Sequence, residues 1–188
     1  MAASEAAPQY ASRGGEKLAF ALRAFDLSPQ DLVACDLGSQ VGGFVDCLLR
    51  GGARRVYAVD TAYGALAWEL RNDARVVVME RTNALHVVLP EPVDLVTIDV
   101  GWTRQGLILP HALKLLAPGG QVISLLKPQY EAAPEERRRG VVRAECWQDV
   151  VRRTLTDLER LSLPLRAVAP LPSPTPGGNR EVFLLLRR

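Results

Sequence analysis

The sequence predicts an α/β fold built on a mostly parallel seven-stranded sheet whose last strand enters antiparallel. Three observations predict it. Short apolar runs alternate with helical-period segments through the first two thirds of the chain, an order that builds parallel strands joined by right-handed crossovers. Several of those runs end in an acidic residue or a glycine, as at Asp36-Leu37-Gly38 and Val59-Asp60, where open parallel sheets hold their ligands. The last two runs are joined by the Pro- and Gly-rich loop Pro170 to Asn179 without an intervening helix, which turns the final strand antiparallel to its neighbour.

In order along the chain, Leu18, Leu22 and Phe25 carry helical spacing within Ser12–Phe25. Leu32–Leu37 reads as a buried strand, and Gly42–Arg50 as a helix opening on a glycine pair. Arg55–Asp60 is the second strand, followed by a helix from Tyr63 to Arg71. Val76–Glu80 and Val93–Val100 are the third and fourth strands. A helix from Gln105 to Leu116 ends at the stop signal Pro118-Gly119-Gly120. Gln121–Leu126 is the fifth strand and closes on Lys127-Pro128. Cys146–Leu161 is a long amphipathic helix, and Leu165–Ala169 and Glu181–Leu186 are the last two strands.

The 188 residues are 48% hydrophobic and 23% charged, a globular composition with enough chain for one substantial core. We expect one domain over residues 10–188 behind a short or disordered tail at residues 1–9. The first residues lack a basic and apolar leader, and no apolar run is long enough for a membrane span, so a cytoplasmic protein without membrane contact is expected. A net charge of +2 does not by itself imply nucleic-acid binding; basic patches such as Arg137–Arg139 would have to supply it. Three cysteines, Cys35, Cys47 and Cys146, lack zinc-site spacing and read as buried free thiols, and no metal site is expected.

The first ligand position is Asp36-Leu37-Gly38-Ser39-Gln40-Val41-Gly42-Gly43-Phe44. Glycine after a strand permits a tight turn, and glycine at a helix start permits close backbone approach. The spacing is not the G-x-G-x-x-G of dinucleotide sites, which favours a nucleoside ligand without a pyrophosphate, such as S-adenosylmethionine (SAM). Asp60 ends the second strand, where a carboxylate can accept from two ribose hydroxyls. Asn83 after the third strand either reads an adenine edge or caps a loop.

Taken in order, Ser12-Arg13-Gly14-Gly15-Glu16-Lys17-Leu18, Asp36 to Asp46, Ile98-Asp99-Val100, Lys127-Pro128-Gln129-Tyr130-Glu131 and Gly178-Asn179-Arg180-Glu181 resemble the TlyA (hemolysin A-type) branch of the FtsJ-like RNA 2′-O-methyltransferases. The resemblance runs from about Tyr10 to the C-terminus. It implies a Rossmann-like SAM-dependent methyltransferase fold that methylates ribose 2′-hydroxyls of ribosomal RNA or a ribosomal subunit. It also implies a catalytic tetrad at Lys17, Asp99, Lys127 and Glu181, and cofactor contacts at Asp36, Gly38, Ser39, Gly42, Gly43, Phe44, Asp60, Asn83 and Asp99. The chain departs from the branch at Gln40-Val41, usually Ser-Thr, and at Gly101-Trp102, usually Ser-Phe. Members typically carry a small RNA-binding module ahead of the catalytic domain, and nothing of that kind precedes Tyr10; either the sequence is part of a longer protein or the protein finds its substrate another way, for which a helper RNA-binding module or protein is one route.

The expected chemistry needs a hydroxyl oxygen, a methyl carbon and a sulfonium in line, and one base. A lysine is a base only when uncharged, which burial and a second cation favour. Lys127 is the expected base, Lys17 the neighbouring cation, Asp99 the group that orients Lys127, and Glu181 the group that holds Lys17. Without the resemblance, Lys17, Lys127 and Glu181 would read as surface residues. Trp102 stacks a substrate base or packs beneath a loop. Arg13, Arg143 and Arg180 are candidate substrate contacts, and Arg137–Arg139 either meet phosphates or are neutralised by Glu135 and Glu136 in a mobile flap bracketed by Pro134 and Gly140. The competing readings are a methyltransferase for a small molecule or protein, and a non-catalytic SAM-binding or hemolysin-like module.

Overall fold

Nine strands and six helices follow the sequence pattern closely in the computed structural model, which describes residues 9–172 and 178–188. The expected tail, apart from Gln9, and the centre of the Pro170–Asn179 loop lie outside the described residues. Helix α1 (Arg13–Ala24) starts at Ser12, whose hydroxyl accepts from the Gly14 amide at 3.2 Å, an N-cap that satisfies a donor left over at the helix start. Strand β1 (Val33–Leu37) leads through the glycine turn into α2 (Gly43–Arg50), and β2 (Arg55–Val59) follows.

The helix expected over Tyr63–Arg71 is confined to its last turn, α3 (Trp68–Arg71). Gly64 has φ of +68°, the Ala67 amide donates to the Val41 carbonyl oxygen at 3.1 Å, and Arg71 pairs with Glu80. A left-handed residue and a partner outside the segment therefore stand where helical hydrogen bonds would run. Strands β3 (Val76–Met79) and β4 (Val93–Ile98) precede α4 (Gln105–Leu115). Pro118-Gly119-Gly120 does not end that helix. The chain leaves it at Leu115 and enters β5 (Leu116–Leu126) directly, because Leu116 pairs with Val93; the ladder then shifts register across the Pro-Gly-Gly stretch before Gln121 meets Leu95.

After β5 come the single turn α5 (Pro128–Glu131), a 3₁₀ turn at Pro134–Glu136, and a small hairpin of β6 (Arg137–Arg138) and β7 (Val141–Val142). Helix α6 (Trp147–Arg160) and strands β8 (Leu165–Pro170) and β9 (Val182–Arg187) complete the chain.

The sheet order is β3-β2-β1-β4-β5-β9-β8. The first five strands are parallel, and β9 inserts antiparallel between β5 and β8. Alternate residues face two cores. One holds Leu18, Phe44, Leu48 and Phe183 beneath α1 and α2; the other holds Leu37, Ile98, Ile108, Leu109 and Leu158 beneath α4 and α6. Each fully buried Leu or Ile contributes about 1.5–3 kcal/mol relative to exposure, so the layers hold the strand ends rigidly. Cys35 and Cys47 are buried in these cores and Cys146 is half-buried, all as free thiols. No helix among the described residues is long and apolar enough to cross a membrane.

Candidate active site

The carboxyl ends of β1, β2, β4 and β5 open into one cavity of about 470 Å³, closed on the other sides by the starts of α1 and α2. That volume lies in the range of small-molecule sites. Its wall includes Asp36, Gly38, Ser39, Gly43, Phe44, Asp60, Asn83, Asp99, Trp102 and Lys127, so most of the predicted site residues meet here from five separate segments.

The glycines work partly for the protein itself. Gly38 has φ of +92°, and a Cβ there would sit 2.8 Å from the Asp99 carbonyl oxygen, so its small size lets the ends of β1 and β4 touch. A Cβ on Gly43 would meet the Ser12 hydroxyl at 2.2 Å, where α1 crosses α2. Gly42 lies off the cavity wall; a Cβ there would meet Leu70 at 2.3 Å. Close packing explains Gly42 better than ligand approach does.

Both Asp60 oxygens accept backbone amides, from Gln40 at 2.8 Å and Ala62 at 2.8 Å. The carboxylate is thereby aimed into the cavity with lone pairs to spare. Asn83 caps a turn, its side-chain oxygen accepting from the Leu85 amide at 2.9 Å, and it also lines the cavity.

Asp36 is fully buried at the cavity floor. One oxygen accepts from the Thr97 hydroxyl at 2.7 Å, and the other has no partner. Burial raises its carboxyl pKa from 3.8 to about 8, against the lowering effect of Thr97 and with small contributions from Asp99 and Asp60. A buried carboxyl with an unmet oxygen is expensive unless a ligand donor completes it.

One lysine–carboxylate pair lies on the cavity wall, and a second lies off it on the neighbouring strand and helix. Lys127 Nζ lies 2.6 Å from Asp99 Oδ1, off hydrogen-bond direction, and donates to the Asp99 carbonyl oxygen at 3.4 Å. Lys17 Nζ lies 2.6 Å from Glu181 Oε2, which is only 4% exposed. Glu181 is therefore no surface residue. The β5–β9 ladder brings the pairs together: Leu126 is opposite Val182, so Lys127 and Glu181 leave the sheet side by side. Lys17 and Glu181 do not themselves line the cavity.

Trp102 is 86% exposed, with φ of +62°, and its ring is 5.0 Å from that of Tyr130, tilted 37°. It does not pack beneath a loop. Tyr130, Ser12 and Gly14 also line the cavity, and each was visible in the sequence only as part of a motif. Arg13 is exposed beside Ser12. Arg143 pairs with Glu145 at 2.6 Å and lies on the β6–β7 hairpin rather than the cavity. Arg180 is exposed, its backbone oxygen accepting from Trp147 Nε1 at 3.1 Å. Among the described residues, no cluster of three or more His, Cys, Asp or Glu is placed to hold a metal.

The charge of the lining is diagnostic. Asp60 and Asp99 face one cation, Lys127, and Asp36 adds a third carboxyl that burial keeps largely protonated at neutral pH until a ligand cation meets it. Such a lining repels a pyrophosphate and attracts a ligand with positive charge. The unmet Asp36 oxygen and the amide-fixed Asp60 together fit a nucleoside bearing an amine and a sulfonium, and thus fit SAM.

Comparison with known proteins agrees. The FtsJ-like methyltransferase family matches residues 10–188. YqxC of Bacillus subtilis is 45% identical over 157 residues, covering 79% of this chain and 55% of YqxC. The 16S/23S rRNA (cytidine-2′-O)-methyltransferase TlyA of Mycobacterium tuberculosis is 38% identical over 188 residues, covering 95% of this chain and 68% of that protein. A solved chain from Streptococcus thermophilus that carries the hemolysin name superposes with a TM-score of 0.90 at 35% identity, covering 98% of this chain and 69% of that one. The chain thus spans between about half and two thirds of the length of these relatives. A SAM-dependent methyltransferase from Mesorhizobium loti, 20% identical with a TM-score of 0.65 over 89% of this chain and 96% of that one, shares the fold.

Proposed function

The chain belongs to the FtsJ-like methyltransferase family, and from that premise we propose that it transfers a methyl group from SAM to a ribose 2′-hydroxyl of RNA, specifically ribosomal RNA. The observation that carries the reading is the Lys127–Asp99 pair on the wall of a cavity whose floor is acidic, with a second lysine–carboxylate pair, Lys17–Glu181, reached one ladder step away across β5 and β9. When bound, SAM supplies a methyl group already activated by its sulfonium charge. Asp60 would hold the ribose hydroxyls, Asn83 the adenine edge, and Asp36 the amino group, with Gly38, Ser39, Gly43 and Phe44 shaping the cradle.

The remaining work is to align one hydroxyl and remove its proton. Lys127, in its uncharged form, would be the base: the hydroxyl proton would pass to Nζ while the methyl group leaves the sulfonium for the oxygen and the sulfur departs as a neutral thioether. Asp99 fixes the direction of Lys127. Lys17, held by Glu181, would be the neighbouring cation that favours the uncharged form of Lys127 and stabilises the developing alkoxide. Trp102 and Tyr130 offer an exposed aromatic face on which an unpaired substrate base can stack. A net charge of +2 leaves the domain only local basic patches for RNA, and a helper RNA-binding module or protein would supply further affinity.

The test is incubation with methyl-labelled SAM and separated ribosomal subunits, followed by mapping of the label. The expected result is label at a 2′-oxygen of ribosomal RNA. Lys127→Ala lowers the rate by about 10²–10⁴-fold while SAM binding measured by calorimetry persists. Label on protein or a small molecule, or unchanged transfer by Lys127→Ala, overturns the proposal; lysis of liposomes without transfer points to the hemolysin-like alternative.

A further inference from the structure

The cavity leaves one strongly charged feature unused. The β6–β7 hairpin turns at Arg139 and Gly140, with φ of +51° and +80°, so a non-glycine residue is held in the left-handed region at a cost of about 1–2 kcal/mol. The turn is tight and it is tied down. Asn179 Nδ2 donates to the Gly140 carbonyl oxygen at 3.1 Å, and Asn179 Oδ1 accepts from the Val142 amide at 3.2 Å. Val142 is buried against Ala132 and Val150. At the base of the hairpin, Arg137 donates to the Gln129 carbonyl oxygen at 3.0 Å.

Both anchors lie next to the catalytic tetrad. Gln129 is two residues from Lys127 and Asn179 is two residues from Glu181, separations of about 7 Å at full extension. The hairpin is therefore a fixed arm beside the cavity mouth, where the sequence suggests a mobile flap.

Its charge is not neutralised by its own acidic neighbours. Glu136 is taken by Arg153 at 2.8 Å and Glu145 by Arg143 at 2.6 Å. Arg138 and Arg139 are exposed and form no ion pair among the described residues; Glu135 is the one adjacent carboxylate without an arginine partner there.

We propose that this hairpin is a contact for the phosphate backbone of the RNA flanking the target nucleotide, with Arg138 and Arg139 as the cations and Asn179 as the positioning residue that sets them relative to Lys127 and Glu181. The proposal rests on the RNA methyltransfer reading. Guanidinium groups on a rigid turn meet phosphate oxygens without reading sequence, which suits a surface that orients a strand while the cavity selects the nucleotide.

The experiment is fluorescence anisotropy of a labelled ribosomal RNA stem-loop against the full chain over a potassium chloride series. The variants are Arg138→Ala/Arg139→Ala, Arg138→Lys/Arg139→Lys and Asn179→Ala, with SAM binding by calorimetry as the check on folding. Each phosphate contact contributes about 0.7 to the slope of log affinity against log salt for a single strand. The double alanine variant therefore loses about 1.4 from the slope, and the double lysine variant keeps it. Asn179→Ala keeps both charges and the slope but raises the KM for RNA at unchanged kcat, since the arm is no longer aimed. An unaltered slope in the double alanine variant with intact SAM binding overturns the hairpin assignment alone. No salt-dependent RNA binding by the unsubstituted protein overturns both this inference and the RNA reading.

Discussion

Asp36→Asn should stabilise the free protein while crippling its cofactor binding. The wild-type carboxyl titrates near 3.8 in an unfolded chain and near 8 in the fold, chiefly because burial disfavours its charge. Its contribution to stability is fully present below about 3.8, shrinks as pH rises, and is gone above about 8. At pH 7 most of it is lost: about 3 pH units at about 1.4 kcal/mol each is an upper limit of about 4 kcal/mol. Asparagine keeps the shape and can still accept from Thr97, but it never pays the desolvation cost. For a chain of this size, the limit corresponds to a rise in Tm on the order of 10 °C, and the gap between variant and wild type should close near pH 4. Thermal unfolding from pH 4 to pH 8 measures it. The same group ties SAM affinity to pH. If a positive ligand requires Asp36 ionised, wild-type affinity falls by up to about tenfold per unit below pH 8, with proton release on binding, and calorimetry in two buffers reads both. A variant no more stable than wild type at pH 7 that binds SAM normally would refute the assignment of Asp36 as both strained and ligand-facing.

Lys17→Ala strands the buried Glu181 carboxylate and should destabilise the fold by about 2 kcal/mol, less than the full penalty for breaking a buried pair because Lys17 is 26% exposed. Lys17→Ala/Glu181→Gln should recover most of that loss in denaturant melts without recovering methyl transfer, and a double variant as unstable as the single would remove the pair as the cause. Trp102→Ala should leave Tm within a degree or two, since the ring is 86% exposed. It should weaken productive RNA binding by about 1–3 kcal/mol, read as kcat/KM in the transfer assay; a large fall in Tm with unchanged kcat/KM would return Trp102 to a structural role.

The fold was legible because its signals are local. Each strand is a short apolar run ended by a polar or glycine residue, and β9 could be read as antiparallel from the absence of a helix before it. The failures lie where a distant side chain or strand overrides a local signal. A helix is expected from Tyr63, yet Gly64 sits at positive φ and the Ala67 amide goes to Val41 across the glycine turn. Pro118-Gly119-Gly120 reads as a helix stop, yet Val93 recruits Leu116 into the sheet before the stop is reached. The β6–β7 hairpin lacks an Asn-Gly or Asp-Gly turn signal, because Asn179, thirty-nine residues from Gly140, provides the stabilising hydrogen bonds.

The site divides in the same way. Asp60 and Asp99 are readable from their positions after strands, and Lys17 and Glu181 are not, because neither residue type at a helix or strand start announces burial. What joins them is the register of an antiparallel strand inserted beside β5. One residue of slip in β9 would turn Glu181 to the opposite face, leave Lys17 without its partner, and unseat the Asn179 clasp two residues earlier. The antiparallel insertion is thus the feature on which the second lysine and the arginine arm both depend, whereas the cofactor cavity, at the ends of β1, β2, β4 and β5, takes no lining residue from β9. Substitutions that disturb β9 should therefore abolish transfer and RNA orientation together while sparing SAM affinity, a separation that changes at the glycine turn cannot produce.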